Sequence, residues 1–336
     1  MIAQWVAEEE KVVAEKLRVL AVTNCYPTEQ MQGDTPCIRD QILALSTMGI
    51  QVDVLLIDRT KRHLSYLKVA WQLFLTSFQR KRYDLIHAYY GYAGLLARLQ
   101  LKYPVVITFR GSDLMSRKNR LIGPLVAKLV DGVIVMSEEM KRMSGRKDAR
   151  IIPFGVDLER FSPYPMGQAR ADLGLPPGDK LVLFPWDPSR PEKRFDIVTA
   201  AVEKLQKEQE NIRLVAVWGK PPEVIAKYMN ACNALILASD REGAPMAVRE
   251  AIACHLPVVS VDVGDVRQVI GDIEGCYLCQ QDAADLAEKL CMALHRERRL
   301  AGNRVAEKLA LKPVTEQVIE VYTHVLNNNK KPHLSH

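Results

Sequence analysis

Two carboxylates eight residues apart frame the segment of this chain with the most chemistry, Asp240-Arg-Glu242-Gly-Ala-Pro-Met-Ala-Val-Arg-Glu250-Ala-Ile-Ala-Cys-His-Leu-Pro257. It lies between two short apolar runs, 234–237 and 258–261, so it reads as a loop and a helix joining two strands. Gly243 and Pro245 permit a tight turn into a helix starting near Met246. The free N–H groups and positive dipole end of such a helix suit an anion such as a diphosphate. Glu242 then falls in the loop and Glu250 one turn inside the helix. Carboxylates repel a diphosphate, so as ligand contacts they would accept hydrogen bonds from sugar hydroxyls at its two ends. On spacing alone a plainer alternative stays ahead: Glu250 as a solvated helix residue and Glu242 as a loop charge.

A second group follows the apolar run 181–184: Pro185-Trp-Asp-Pro-Ser-Arg190-Pro-Glu-Lys193-Arg194-Phe. Three cations at a strand end match the needs of a diphosphate, Arg as a fork and Lys as a point charge. Solvated charges in a Pro-rich loop are the alternative.

These loops need a scaffold. Residues 17–23, 52–57, 85–88, 105–109 and 133–136 are short apolar runs separated by segments long enough for crossover helices, such as 37–49. Continuous apolar strands predict a parallel sheet covered on both faces. The stretch 153–165 has turn formers at both ends and no period, which marks a linker. The alternation then restarts with runs at 181–184, 212–217, 234–237, 258–261 and 275–278, and helices are expected over 282–293 and 314–326, with 327–336 as a frayed tail. The expectation is α/β: two tandem Rossmann-like domains with parallel sheets, their strand-end loops facing one cleft.

The same residues resemble the retaining family 4 glycosyltransferases, of the two-domain GT-B type. The family signature pairs a Glu with a second Glu eight positions on. A Gly-Pro turn follows the first, and Glu-Ala-x-Ala-x-x-x-Pro-Val-Val runs from the second. This chain has Glu242-Gly-Ala-Pro245 and Glu250-Ala-Ile-Ala-Cys-His-Leu-Pro-Val-Val259, with His255 where a Gly is common. Ile152-Pro-Phe-Gly-Val-Asp157 and Arg160-Phe-Ser-Pro163 extend the likeness, which spans most of 17–325. It implies an acceptor domain over 1–152, a linker over 153–165 and a nucleotide-sugar donor domain over 166–336, whose last helix is free to pack back on the first.

By the resemblance Glu250 holds the ribose diol, Glu242 contacts the donor sugar, and the amides of Gly243, Ala244, Pro245 and Met246 stand for the turn that meets sugar or diphosphate. Lys193 matches the family's Lys, whereas Asp187 or Pro188 falls where an Arg is expected, so Arg190 is the substitute. Lys193, Arg190 and Glu242 are the catalytic candidates. Gly33 joins the donor side: many relatives carry paired Gly where this chain has Gly33-Asp34, and only Gly lets backbone approach a phosphate closely. On the acceptor side, Tyr83-Asp-Leu-Ile-His87-Ala-Tyr-Tyr-Gly and Thr108-Phe-Arg110-Gly-Ser-Asp113-Leu resemble family loops, with Arg110 replacing the usual His. His87 reads equally as a satisfied structural residue, and Asp113 as a helix cap or an acceptor contact.

The 336 residues carry a net charge of +6, with 48% hydrophobic and 26% charged residues, a globular composition. The charge is uneven, 23 Lys and Arg against 15 Asp and Glu in 1–150, or +8. No nucleic-acid recognition motif accompanies it. Residues 64–82 are aromatic and end in a basic cluster, which fits either a membrane-resting helix or, by the commoner pattern, a crossover helix buried on one face. Acceptor glycans, lipids and small molecules all remain open, as does peripheral contact with an anionic membrane. Seven Cys and the pair Cys276 and Cys279 lack zinc-ligand spacing and read as buried thiols. No Asp-x-Asp triplet occurs, so no metal and no cofactor beyond the nucleoside-diphosphate sugar co-substrate is expected. No run reaches the roughly 20 apolar residues of a membrane span, so the expected place is the cytoplasm or the inner membrane face. Nucleotide-sugar epimerase and non-catalytic sugar-nucleotide binder are the alternatives to transferase.

Overall fold

The computed structural model describes residues 17–27, 35–60, 62–78, 80, 82–116, 119, 121–296, 299–301 and 304–330. The chain divides into two compact units, one of residues 17–26, 37–155 and 311–330, the other built on 156–310.

The first unit holds strands β1 (Arg18–Thr23), β2 (Gln51–Leu56), β3 (Leu85–Tyr89), β4 (Val105–Thr108), β5 (Gly132–Val135) and β6 (Arg150–Ile151). They form one parallel sheet in the order β2-β1-β3-β4-β5-β6. Every residue of β3, β4 and β5 is buried, as a sheet covered on both faces requires. Between the strands run α1 (Pro36–Thr47), α2 (Arg62–Thr76), α3 (Gly91–Ala97), α4 (Ser112–Met115), α5 (Ile122–Leu129) and α6 (Glu138–Ser144). Ser137 caps α6 by accepting the Met140 N–H at 3.3 Å, and Gly145 ends it at φ +69°.

The second unit has β7 (Lys180–Phe184), β8 (Ile212–Ala216), β9 (Ala234–Leu237), β10 (Val258–Val261) and β11 (Tyr277–Cys279), parallel in the order β11-β10-β9-β7-β8. Its helices are α7 (Met166–Leu173), α8 (Phe195–Gln206), α9 (Pro222–Ala231), α10 (Met246–Ala253), α11 (Val266–Ile270), α12 (Ala283–Leu294) and α13 (Arg304–Lys308). Leu181, Leu183, Leu235 and Leu237 bury one face of the sheet, and Val182, Phe184, Ala234 and Ile236 the other. Each unit is thus a parallel Rossmann-like sheet between helical layers.

A last helix, α14 (Leu311–Lys330), returns to the first unit. It crosses β5 at Gly132, where an added Cβ would stand 2.9 Å from Val325 and 3.4 Å from Val321. The helix continues through Asn327 to Lys330, where the sequence suggests a frayed tail, because Val325 and its neighbours are anchored. The sequence reading also misses β6, two residues long and too short for any period. It starts the final strand two residues early, at Gly275, whose φ of +96° lies outside a strand.

The largest departure is α2. Val69 and Leu73 are buried, but Leu64, Leu67, Trp71, Phe74, Leu75 and Phe78 face outward, so core packing takes only a narrow stripe of this segment. Among the described residues no helix is long and apolar enough to cross a membrane.

Candidate active site

In each sheet the chain reverses its direction of travel once. In the second unit it runs from β7 outward to β8, then crosses back to β9, so β7 and β9 lie side by side with their following loops adjacent. Loops at such a switch point, beyond the carboxyl ends of the strands, are where open α/β sheets bind ligands.

The loop after β7 ends in a single 3-10 turn, Pro191–Lys193, and Arg194 leaves it in the left-handed region at φ +52°. That turn directs Lys193 inward. Its side chain is 6% exposed, its ammonium lies 5.1 Å from the centre of the Trp186 ring, and it donates to Glu242 Oε1. Glu242 comes from the loop after β9 and is itself largely buried. Two residues 49 apart in sequence therefore form one ion pair where the two loops meet.

Glu242 is held in place from behind. Gly264, at φ +61°, brings the loop after β10 so close that an added Cβ would lie 2.5 Å from the Gly243 carbonyl and 2.9 Å from that of Glu242. Next to it Asp265 accepts from the guanidinium of Arg249 on α10, both buried, and burial pushes the Arg249 pKa down to about 10. Among the described residues, Arg249 Nε and Asp265 Oδ1 have no hydrogen-bond partner. Such a pair fixes geometry more than it adds stability. Local sequence does not single out Trp186, Arg249, Asp265 or Gly264; the one signal it carries is a charged residue, Arg249, inside an apolar helix.

Gly243, Ala244 and Pro245 lead from Glu242 into Met246, the first residue of α10, and no side chain caps that end. The Val248 N–H bonds the Pro245 carbonyl at 3.1 Å, and a helix start of this kind, with its positive dipole end, suits an anion. Glu250 stands on the second turn, half-buried. Arg190 is not drawn to Glu242. It is 54% exposed and its Nε donates to Glu192 at 2.9 Å, while Arg194 lies 3.4 Å from Asp240. Gly33 lies outside the described residues. His255, at φ +58°, closes α10 in the backbone conformation glycine favours, which accounts for the Gly common there in relatives.

In the first unit the candidates are placed differently. His87, read as an acceptor-side candidate, is wholly buried: Nδ1 lies 2.6 Å from Tyr322 Oη on α14, Nε2 lies 2.7 Å from Thr108 Oγ1, and Tyr89 stacks on the ring at 4.0 Å. Burial alone holds its pKa down at about 3, so it is neutral and has no atom left for a ligand. Asp113 is likewise consumed, accepting the Arg110 N–H at 3.0 Å and the Gly111 N–H at 2.9 Å. Burial raises its pKa against the opposing pull of those bonds. Arg110 is partly exposed, its guanidinium 5.9 Å from the Tyr90 ring. Tyr90 itself is strained at φ +139° where β3 turns into α3. Tyr90 lies in the loop the sequence marks, though not among its site candidates.

The thiols of Cys276 and Cys279 are pushed up to about 11 and about 12 by burial and remain protonated. Among the described residues no three His, Cys, Asp or Glu side chains gather as a metal site.

Two family models match, "Glycosyltransferase Family 4" over residues 48–160 and "Glycosyl transferases group 1" over 185–296. The chain is 26% identical to a Bacillus subtilis (strain 168) protein named for teichuronic acid biosynthesis glycosyltransferase, over 84% of this chain and 90% of that one. It is 27% identical to the D-inositol 3-phosphate glycosyltransferase of Actinosynnema mirum over 71% and 72% of the two chains. Among solved structures, sucrose-phosphate synthase of Thermosynechococcus elongatus superposes with a TM-score of 0.73 at 19% identity, covering 93% of this chain and 100% of the other. Anabaena HepE in complex with UDP-glucose gives 0.65 at 16%, covering 92% and 100%. Signature, sheet order and these likenesses agree, and the chain belongs to the family 4 glycosyltransferases of the GT-B fold.

Proposed function

We propose that this glycosyltransferase moves a sugar from a nucleoside-diphosphate donor to an acceptor hydroxyl, without a metal ion and with retention of the anomeric configuration. The observation that carries the reading is the Lys193–Glu242 pair between the loops after β7 and β9, beside the uncapped start of α10. The pair is neutral as a whole, so a carboxylate can stand next to a diphosphate without repelling it. Lys193 and the first amides of α10 neutralise charge that grows on the leaving diphosphate, a role a divalent ion would otherwise fill. Glu242 accepts from a sugar hydroxyl and faces the positive charge that develops at the anomeric carbon. Glu250, one turn on, accepts from the ribose diol. Binding in this geometry supplies positioning, the larger share of catalysis where the protein offers no evident nucleophile.

A nucleotide-sugar donor is further supported by the Anabaena neighbour, which was crystallised with UDP and with UDP-glucose. The test is a thermal-shift panel of UDP-, GDP- and ADP-sugars: a donor at about 100 times its dissociation constant adds about 2.7 kcal/mol of stability. Anomer analysis of the product, with and without a chelator, then addresses retention and metal independence. No shift with any sugar nucleotide overturns the donor assignment, and sugar isomerisation without an acceptor replaces transfer by epimerisation.

A further inference from the structure

We propose that the outer face of α2 docks on an anionic phospholipid bilayer. Leu64, Leu67, Trp71, Phe74, Leu75 and Phe78 recur at helical spacing on one face, and all six are exposed, Leu64 by 75%, Trp71 by 61% and Phe78 by 74%. Val69 and Leu73, on the opposite side, already anchor the helix to its unit. The outward face is left to solvent. Its rings form one continuous surface, Trp71 to Phe74 at 5.8 Å and Phe74 to Phe78 at 5.1 Å between centroids. An apolar patch of this kind is uncommon on a protein that meets only water.

The charge around it selects the partner. Residues 59–82 contain seven Lys and Arg and no Asp or Glu. Lys68 is exposed on the apolar face itself, where a long stem can lie along the hydrocarbon boundary with its ammonium among headgroups. Arg80 is exposed just past the last ring, and Arg82 is held by Asp53 at 3.1 Å. Apolar rings on a segment whose own charges are all cationic match an acidic lipid surface. A second copy of the chain would bring like charges together, with no acid in the segment to balance them.

Vesicle co-sedimentation tests this without donor or acceptor, so it stands apart from the transferase reading. Full-length protein is mixed with vesicles of phosphatidylcholine and phosphatidylglycerol, or of phosphatidylcholine alone. Binding is expected to be at least tenfold tighter to the acidic vesicles and to weaken at least tenfold at 0.5 M salt. The double variant Trp71→Glu/Phe78→Glu is expected to lose at least tenfold while circular dichroism and thermal unfolding stay unchanged. If that variant does not fold, the salt series and Leu64→Ser/Leu67→Ser carry the same comparison. Equal binding to neutral vesicles, binding to neither, wild-type affinity in the variants, or a dimer in ultracentrifugation that the variants dissociate would each overturn the proposal.

Discussion

The polar residues at the strand ends of the two units read alike in sequence and do opposite things in the structure. After β7 and β9, the Lys193 ammonium pairs with the Glu242 carboxylate beside the Trp186 ring and a helix start whose N-cap residue, Pro245, makes no side-chain cap. After β3 and β4, His87 spends both nitrogens on Tyr322 and Thr108, and Asp113 spends a carboxylate oxygen on two backbone N–H groups. The lesson is that a buried polar group signals chemistry when its partner can be exchanged for a ligand, and architecture when its partners are the fold's own.

That contrast is open to direct attack. Lys193→Ala leaves the Glu242 carboxylate buried without its cation, which is expected to cost about 3 kcal/mol of stability and to lower turnover at least ~10-fold. Unfolding and steady-state rates measured together check both, and normal turnover would remove Lys193 from catalysis. Gly264→Ala forces a Cβ against the carbonyls of Glu242 and Gly243 and leaves an L side chain at positive φ, expected to cost about 2–3 kcal/mol. Since the loop carrying Glu242 must shift, donor KM rises with it.

His87 offers the reverse test. Its folded pKa of about 3 lies below the usual 6.5, so the unfolded chain binds the proton more readily. The stability it protects is complete above pH 6.5 and declines as pH falls toward 3, by about 1.4 kcal/mol per unit within that window. Denaturation between pH 6.5 and 5 should be steeper by about this slope in the wild type than in His87→Gln, which keeps the lowered His255. The raised Asp113 acts in the opposite sense at lower pH, so the comparison belongs above pH 5. A His87→Gln protein with wild-type stability and lower kcat would erase the distinction between the two units. Glu250→Ala, by contrast, should spare the fold and weaken donor binding about tenfold, or 1.4 kcal/mol, measured by titration. The smallest effect is expected from His255→Gly, which relaxes a left-handed residue and should raise stability by up to about 1 kcal/mol.

The sheets were legible because continuous runs such as Leu181 to Phe184 carry the signal of buried parallel strands. The glutamate pair was legible because Gly243 and Pro245 punctuate it. What escaped was whatever depends on partners distant in sequence. Arg190, Lys193 and Arg194 look equivalent as three cations in one loop. Only the 3-10 turn and the left-handed Arg194 send Lys193 inward and leave Arg190 on Glu192. Trp71 and Phe78 mislead for the same reason, since an aromatic-rich helix promises burial until the neighbouring elements are known to cover only Val69 and Leu73.

Because α14 belongs with β5 and carries the Tyr322 hydroxyl that bonds His87, the first unit is built from segments on both sides of the second in sequence. During synthesis its sheet emerges before the second unit and waits, with the groove over Gly132 unfilled, until residues 311–330 are translated. A chain severed ahead of residue 311 would yield an intact second unit and a first one lacking its closing helix.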